Sequence, residues 1–223
     1  MLTDLEKISI ELIKNNFMIQ KDLTGIVPDQ YTGEEIETQS SIDFKNESQA
    51  KAFYEVAKAR LLSVNNWHFI AGIISGHFQL TDAHGEKLNR NVETGDYFRI
   101  DIPGPGSSEG DGYDWVYVED LKEITEGNMQ SIGFRVRPSK NPLGEKNETA
   151  HFYTDDATSN FIVTREGDTV TAMIIDRNLK PNDESGSVMD RIRHVAVGAG
   201  AIGLFSKIQW KNLTDGLVKD VKE

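Results

Sequence analysis

The C-terminal segment, from residue 187 to residue 223, constrains the fold of this chain more than any other stretch. Its apolar side chains recur in steps of three and four, the period of an α-helix, at positions 188, 192, 195, 199, 202 and 205. The same segment contains Gly198-Ala199-Gly200-Ala201-Ile202-Gly203, a match to the G-x-G-x-x-G pattern. Two structures are therefore open: a strand, glycine turn and helix that bind a dinucleotide, or one long helix.

The residues after Gly203 decide between these two structures. A dinucleotide site needs a second strand that ends near an acidic residue. Residues 204–223 instead continue a helical pattern with a polar, Lys-rich face. We therefore predict one helix over residues 187–221. Because a glycine costs a helix about 1 kcal/mol relative to alanine, we expect the backbone near these glycines to pass close to a sheet, a partner or a ligand.

The rest of the chain predicts two helices and a series of strands. A capping-box pattern at Thr3 begins a short helix that ends near Asn16, and Asn46 or Ser48 caps a second helix that ends at Leu62. Elsewhere apolar and polar residues alternate, which is the period of a strand. The predicted strands cover residues 35–44, 69–80, 97–102, 113–119, 129–137, 160–165 and 169–176.

This element order predicts an α+β fold. Successive strands joined by short turns pair antiparallel, and their apolar face needs a cover. The C-terminal helix is the predicted element long enough to provide it. We expect a curved antiparallel sheet of about six to seven strands wrapped around a long C-terminal helix. We also expect one domain over residues 1–223, with an N-terminal helical extension over 1–30 and a core over 35–221.

Charge and composition exclude several kinds of partner. The net charge of -12 disfavours nucleic acid, because affinity for phosphates comes largely from Lys and Arg, and it disfavours anionic membrane surfaces. The chain has no cysteine and its N-terminus lacks the apolar core of a signal peptide, so we expect a cytoplasmic protein. The longest apolar run, residues 195–205, is too short to span a bilayer.

The order of strand, helix, six strands and closing helix resembles the START-like helix-grip superfamily, which includes polyketide cyclases and lipid-transfer domains. The chain also resembles bacterial proteins for which no activity is assigned. The superfamily resemblance implies a cavity between sheet and helix that binds a hydrophobic or aromatic small molecule, without a cofactor. The glycines of the terminal helix would then leave room for a ligand, or simply permit tight packing. Expected ligand-binding residues are Trp67, Phe98, Trp115, Tyr117, Phe134, Arg135, Ile202 and Phe205.

Candidate chemistry is confined to a few polar residues. The five histidines show no spacing typical of a metal site, so we expect no metal. His151 is the best candidate for a general base because carboxylates follow it, and His77 is the second; Asp114 is a candidate partner for either. Each histidine can equally be structural. The aromatic residues fit either a core or a pocket, and Arg135 fits either an anion clamp or a solvated face.

Three functions remain open from the sequence. The first is binding of a hydrophobic or aromatic ligand between sheet and helix. The second is an enzyme of the cyclase, dehydratase or hydrolase kind with a pocket histidine as base. The third is a non-catalytic partner-binding module, in which residues 195–205 pack on a second chain, possible as a homodimer.

Overall fold

The computed structural model describes residues 22–72, 76–101, 110–144, 148–182 and 199–220, the side chains of residues 199–205 excepted. These ranges contain seven strands, which are β1 Glu34–Asp43, β2 His77–Thr81, β3 Tyr97–Asp101, β4 Asp114–Glu126, β5 Met129–Pro138, β6 Thr158–Glu166 and β7 Thr169–Leu179. They also contain three α-helices, which are α1 Glu47–Leu62, α2 Trp67–Ala71 and α3 Ala199–Leu217, and a 3₁₀ turn at Val64–Asn66.

The seven strands form one antiparallel sheet in the order β1-β7-β6-β5-β4-β3-β2. Strands β2 to β7 follow one another as a meander, and β1 pairs with the free edge of β7. Two-residue turns join β4 to β5 and β6 to β7, and their first residues, Gly127 and Gly167, have φ of 56° and 58°. Such turns need a left-handed backbone, which glycine adopts without steric cost.

Alternation along the strands gives the sheet two distinct faces. On the concave face, Phe134 pairs with Phe161, which pairs with Ile174, and these side chains belong to the main core. On the convex face, Ile162 and neighbouring side chains pack under Ile26 in a second, smaller cluster. Both faces are therefore covered, the convex one by the segment that precedes β1.

Helices α1 and α2 cover one part of the concave face. The Asn46 side chain accepts a hydrogen bond from the Gln49 amide at 3.0 Å, so Asn46 is the predicted N-cap of α1. Trp67 lies at the centre of the core, fully buried, with its ring 4.8 Å from that of Phe161. Its indole N–H donates to the Leu61 carbonyl at 3.1 Å, which ties α2 to the end of α1.

Helix α3 covers the rest of the concave face. The Trp210 indole donates to Asp176 of β7 at 2.7 Å, and the Ser40 hydroxyl of β1 donates to Thr214 at 2.8 Å. At the other end of the helix, the Arg60 guanidinium donates to the carbonyls of residues 216, 217 and 219. These carbonyls have no partner within the helix, so Arg60 satisfies them and complements the negative end of the helix dipole.

The predicted fold class is confirmed: the chain is an α+β protein with the helix-grip arrangement of a curved antiparallel sheet around a C-terminal helix. Glycines 200 and 203 lie within the helix Ala199–Leu217, and no described strand follows it. Residues 193–197, which would form the strand of the dinucleotide alternative, lie outside the described ranges, so the choice of one helix over residues 187–221 stays a prediction there. The predicted helix over residues 1–16 and residues 187–198 of the terminal helix lie outside the described ranges. The single-domain organisation stays a prediction.

Three element boundaries differ from the sequence prediction. Residues 67–71 form α2 rather than the start of a strand, because burial of Trp67 and its indole hydrogen bond favour continued helix. Strands β4 and β7 extend further, to Glu126 and Leu179, because both continue their pairing with neighbouring strands. None of the described helices is long and apolar enough to cross a membrane.

A close approach of helix backbone is found at Gly216, which is not one of the glycines 198, 200 and 203 for which we expected it. A Cβ atom at this position would lie 2.3 Å from the Ile70 carbonyl oxygen and 2.4 Å from the Ile70 Cγ2 atom, so helix α3 contacts α2 through bare backbone. The side chains near Gly200 and Gly203 are outside the described set. The packing of α3 on α2 therefore requires a residue without a side chain.

We expect Gly216→Ala to lower the free energy of unfolding by about 1–3 kcal/mol, although alanine favours helix. The cause is the clash with the Ile70 backbone, which α2 can relieve only by moving away. Urea unfolding followed by circular dichroism measures the change. Lys207→Ala, at an exposed position of the same helix, is the control and should stay within about 0.5 kcal/mol of the parent. A stabilised Gly216→Ala variant would contradict the contact.

Candidate functional site

A small cavity lies between the concave face of the sheet and helix α3. Its volume is about 40 Å³. The lining side chains come from the strands, from the segment before β6 and from α3. They are Phe78, Phe98, Ile100, Val116, Val136, His151, Phe152, Tyr153, Ser159, Phe161, Asp176, Ser206, Gln209 and Trp210.

Aromatic rings form most of the apolar wall. Strand alternation directs Phe78, Phe98 and Phe161 to the concave face, and α3 contributes Trp210. The Trp210 ring stands edge-on to Phe161, with ring centroids 5.4 Å apart, and lies 6.4 Å from Phe78. The half-buried Phe152 completes the wall from the segment before β6. An apolar group in this cavity would be surrounded by aromatic surface.

Asp176 provides the buried acidic group of the cavity. Its side chain points to the concave face, as do those of Val170 and Ile174 on the same strand, β7. It is only 2% exposed. Its Oδ2 atom accepts the Trp210 indole hydrogen bond, whereas its Oδ1 atom has no hydrogen-bond partner among the described residues. Burial raises the pKa of this carboxyl to about 6, although hydrogen bonds from Ser159 and Trp210 and the charge of Arg177 lower it in part. The carboxyl is thus largely charged at neutral pH and only half satisfied.

Three further polar side chains line the same cavity. Burial and the charge of Asp176 raise the pKa of Tyr153, and a hydrogen bond with Ser206 lowers it in part. The Gln209 side-chain oxygen accepts the amide of Gly76 at 3.3 Å. Helix α3 therefore presents a hydroxyl, an amide and an indole towards the sheet within one turn and a half.

His151 lines the cavity but is held as a neutral ring whose Nδ1 atom accepts a hydrogen bond. Its Nδ1 atom accepts the Tyr153 amide at 3.0 Å, which leaves the proton of the neutral ring on Nε2. Burial lowers the pKa of His151 to about 3, and the Tyr153 amide does not offset this. A general base needs a free lone pair, so the predicted role of His151 would require its hydrogen bond to Tyr153 to break. That role stays a prediction.

Asp114 lies on the concave face beside the cavity. It begins β4 and pairs with Ile100, a lining residue, but is not itself part of the lining. Its carboxyl is 5% exposed, and its Oδ1 atom has no partner among the described residues. Burial raises its pKa to about 8, and a hydrogen bond from the Phe152 amide lowers it in part. At neutral pH this carboxyl is mostly protonated.

Of the residues predicted to bind ligand, Phe98 lines the cavity. Trp67 and Phe134 lie on the concave side with stacked rings 6.0 Å apart, but they belong to the core under α1 and α2 and not to the cavity wall. The side chains of Ile202 and Phe205 are outside the described set.

Three predicted ligand-binding residues lie on the opposite face. Strand alternation directs Trp115, Tyr117 and Arg135 to the convex side, where they do not contact the cavity. The Trp115 indole donates to the Gly110 carbonyl at 3.2 Å, and the Tyr117 ring lies 5.1 Å from that of Tyr97. Arg135 pairs with Glu119 at 2.6 Å, and its expected contact with a ligand gives way to this ion pair.

His77 is also away from the cavity. It is exposed at the start of β2, and its ring lies 4.7 Å from that of His68. Strand parity places Phe78, not His77, on the concave face. The described ranges contain no group of three or more potential metal-ligating side chains. The expectation of no metal and no cofactor stays a prediction.

Sequence reasoning missed the polar residues of the cavity: Ser159, Asp176, Ser206, Gln209 and Trp210. A signal existed for Asp176, because it ends the apolar stretch 170–175 and has the same parity as its inward residues. No comparable signal existed for the α3 residues, since which face of that helix meets the sheet depends on contacts distant in sequence.

No protein-family model matches this chain, and no curated protein sequence matches it significantly. Similar solved structures include protein Ms6760 from Mycobacterium smegmatis, at 14% identity and a TM-score of 0.39, covering 88% of this chain and 99% of that one. Another is major latex-like protein 151 from Panax ginseng, at 12% identity and a TM-score of 0.36, with 84% of this chain and 100% of that one covered. A third is norcoclaurine synthase from Thalictrum flavum, at 6% identity and a TM-score of 0.32, with 82% of this chain and 96% of that one covered. These likenesses are too distant to carry an argument about function.

We expect the buried Asp114 to make stability fall as pH rises from 6.5 to 8. In this window the unfolded carboxyl, with its ordinary pKa of 3.8, has lost its proton, whereas the folded one, with a pKa of about 8, retains it. Raising the pH therefore favours the unfolded state, by up to about 1.4 kcal/mol per pH unit. Near pH 6.5 two smaller effects oppose each other. Asp176, with a folded pKa of about 6, adds to the fall, whereas His151, with a folded pKa of about 3, makes stability rise as the unfolded ring loses its proton at its ordinary pKa of 6.5.

Urea unfolding at several pH values measures this slope. Asp114→Asn keeps the shape of the side chain and removes the titration, so the stability of this variant should no longer fall from pH 6.5 to 8. Asp168→Asn, an exposed change in the turn between β6 and β7, should keep the parent slope. An unchanged slope in Asp114→Asn would show that this carboxyl does not titrate in the window.

Proposed function

We propose that this protein binds a small, partly apolar molecule in the cavity between the sheet and helix α3. The observation that carries the proposal is the composition of the cavity: an aromatic wall faces a buried carboxylate that has one unpaired oxygen. Ligand sites typically combine apolar surface with a few polar groups that fix orientation. A buried polar atom without a partner costs free energy, and a ligand that supplies a donor would recover it.

The size of the cavity determines how binding would occur. Its volume of about 40 Å³ suits a few water molecules or one very small group, whereas ligand pockets typically measure about 300–1,000 Å³. A large preformed pocket is therefore not part of the proposal. A ligand of aromatic size would have to displace a wall residue, and the half-buried Phe152 is the least enclosed of the aromatic ones.

A catalytic function is the second candidate. Two buried carboxyls lie at or beside the cavity, Asp114 with a pKa of about 8 and Asp176 with a pKa of about 6, so one would be protonated and the other charged near neutral pH. Groups whose pKa values differ in this way can serve as acid and base. This pair, and not His77, supports an enzyme of the cyclase, dehydratase or hydrolase kind.

The partner-binding alternative rests on residues 195–205, whose side chains are outside the described set. A homodimer through this segment therefore stays a prediction. The cavity composition favours ligand binding over it.

Ligand binding can be tested with a thermal-shift panel of phenol, indole, decanoate and a flavonoid. A compound that binds only the folded state raises the melting temperature in proportion to its saturation. Ser159→Val replaces a lining hydroxyl with two methyl groups, so we expect it to reduce the space available and to abolish the shift given by any compound that binds the parent.

Ser41→Val is the matched control. It is the same change on the convex face of β1, at an exposed position away from the cavity, and the compound should raise its melting temperature as in the parent. The proposal fails if no compound binds the parent, or if Ser159→Val and Ser41→Val respond alike.

A further inference from the structure

The charge carried by the described lining side chains is negative. Among them Asp176 is the only carboxylate, and none is Lys or Arg. His151 adds no positive charge at neutral pH, because burial lowers its pKa to about 3. Arg177 follows Asp176 on β7, and its charge lowers the pKa of Asp176 in part, but parity directs its side chain to the convex face, where it pairs with Glu37 at 2.6 Å. The charged side chain in the described lining is therefore the Asp176 carboxylate.

The unpaired oxygen of Asp176 needs a donor. Trp210 satisfies Oδ2, and neither Gln209 nor Ser159 makes a hydrogen bond to Oδ1. A buried carboxylate with one free oxygen accepts a charged donor more strongly than a neutral one, because the attraction between opposite charges adds to the hydrogen bond and is strong where water is excluded. The group that completes the site is therefore favoured to be a cation that carries an N–H bond.

The surrounding rings favour the same kind of group. Six aromatic side chains line the cavity: Phe78, Phe98, Phe152, Tyr153, Phe161 and Trp210. Aromatic faces attract organic cations through their quadrupole, and Trp is the strongest of them in this respect. A carboxylate set among aromatic rings is the combination that distinguishes an alkylammonium ion from a neutral molecule of the same shape.

We propose that the cavity binds a small alkylammonium ion, with its N–H directed at the free oxygen of Asp176 and its methyl groups against the aromatic wall. This inference rests on the proposed function and names the class of ligand. The cavity volume of about 40 Å³ limits a well-fitting ligand to a few heavy atoms. Isopropylammonium is a suitable probe, because it has an N–H donor, a positive charge and two methyl groups.

The indole N–H groups of the three tryptophans give a direct readout. The Trp210 indole donates to Asp176 inside the site, whereas the Trp67 and Trp115 indoles donate to the carbonyls of Leu61 and Gly110 elsewhere. In ¹H–¹⁵N spectra of the labelled protein, we expect isopropylammonium chloride to shift the Trp210 resonance saturably. The Trp67 and Trp115 resonances should stay in place and serve as internal controls.

Two matched probes separate charge from shape. Isopropanol has the same shape and a donor but no charge, and isobutyrate has a similar shape and the opposite charge. All titrations are made at constant ionic strength with sodium chloride, since screening changes electrostatic affinity. We expect isopropanol and isobutyrate to bind at least about tenfold more weakly than isopropylammonium, as expected when a charge-assisted bond is lost.

Two variants complete the test. Asp176→Asn keeps an oxygen for the Trp210 indole and removes the charge, so it should weaken the binding of isopropylammonium at least about tenfold. Asp168→Asn makes the same change at an exposed turn and should bind as the parent does. If Asp176→Asn does not fold, the comparison of the three probes on the parent decides the question.

Several results would overturn the inference: no saturable Trp210 shift, an equal response to isopropanol, or undiminished binding in folded Asp176→Asn. The first result is expected if buried water alone satisfies Asp176. If apolar compounds raise the melting temperature of the parent but isopropylammonium does not bind, the proposed ligand-binding function stands and only this inference fails. If neither binds, both fail.

Discussion

The hydrogen bond from the Trp210 indole to the Asp176 carboxylate joins the terminal helix to the sheet. It fixes which face of α3 meets the strands, and it is made to a carboxyl that is only 2% exposed. Burying a charged carboxyl is expensive unless both oxygens have donors, and here the Oδ1 atom has none among the described residues. The polar character of the cavity follows from this, because Asp176 lines it among aromatic rings.

The overall architecture could be predicted from the sequence because it depends on the spacing of apolar residues within each segment. Alternation of apolar and polar residues identified five strands close to their observed positions. It also correctly placed Phe134 and Val136 on the same face of the sheet. The short connections between successive strands predicted the antiparallel order. The apolar stripe of the C-terminal segment predicted the helix that covers the sheet, now seen over Ala199–Leu217.

The candidate site was harder to predict. Alternation along a strand shows which residues share a face, but it does not show which face the helix covers. Trp115 and Tyr117 alternate with Val116 and Val118, and either pair fits an aromatic or aliphatic interior. The structure buries the Trp115 ring by a contact outside the sheet: its indole donates to the Gly110 carbonyl at 3.2 Å. Gly110 precedes β4 in a segment that shows no regular period, so no pattern predicted this contact.

The buried ionisable groups give the physical reason to place function at this end of the sheet. Asp114, His151 and Asp176 are each held where burial shifts the pKa towards the neutral form, and each costs stability at some pH. Asparagine at position 114 or 176 would remove much of this cost while keeping the shape of the side chain. Packing and hydrogen bonding alone therefore do not account for the two carboxyls. A bound group that pairs with a charged oxygen does account for Asp176, because it converts an electrostatic cost of the empty fold into affinity for the ligand.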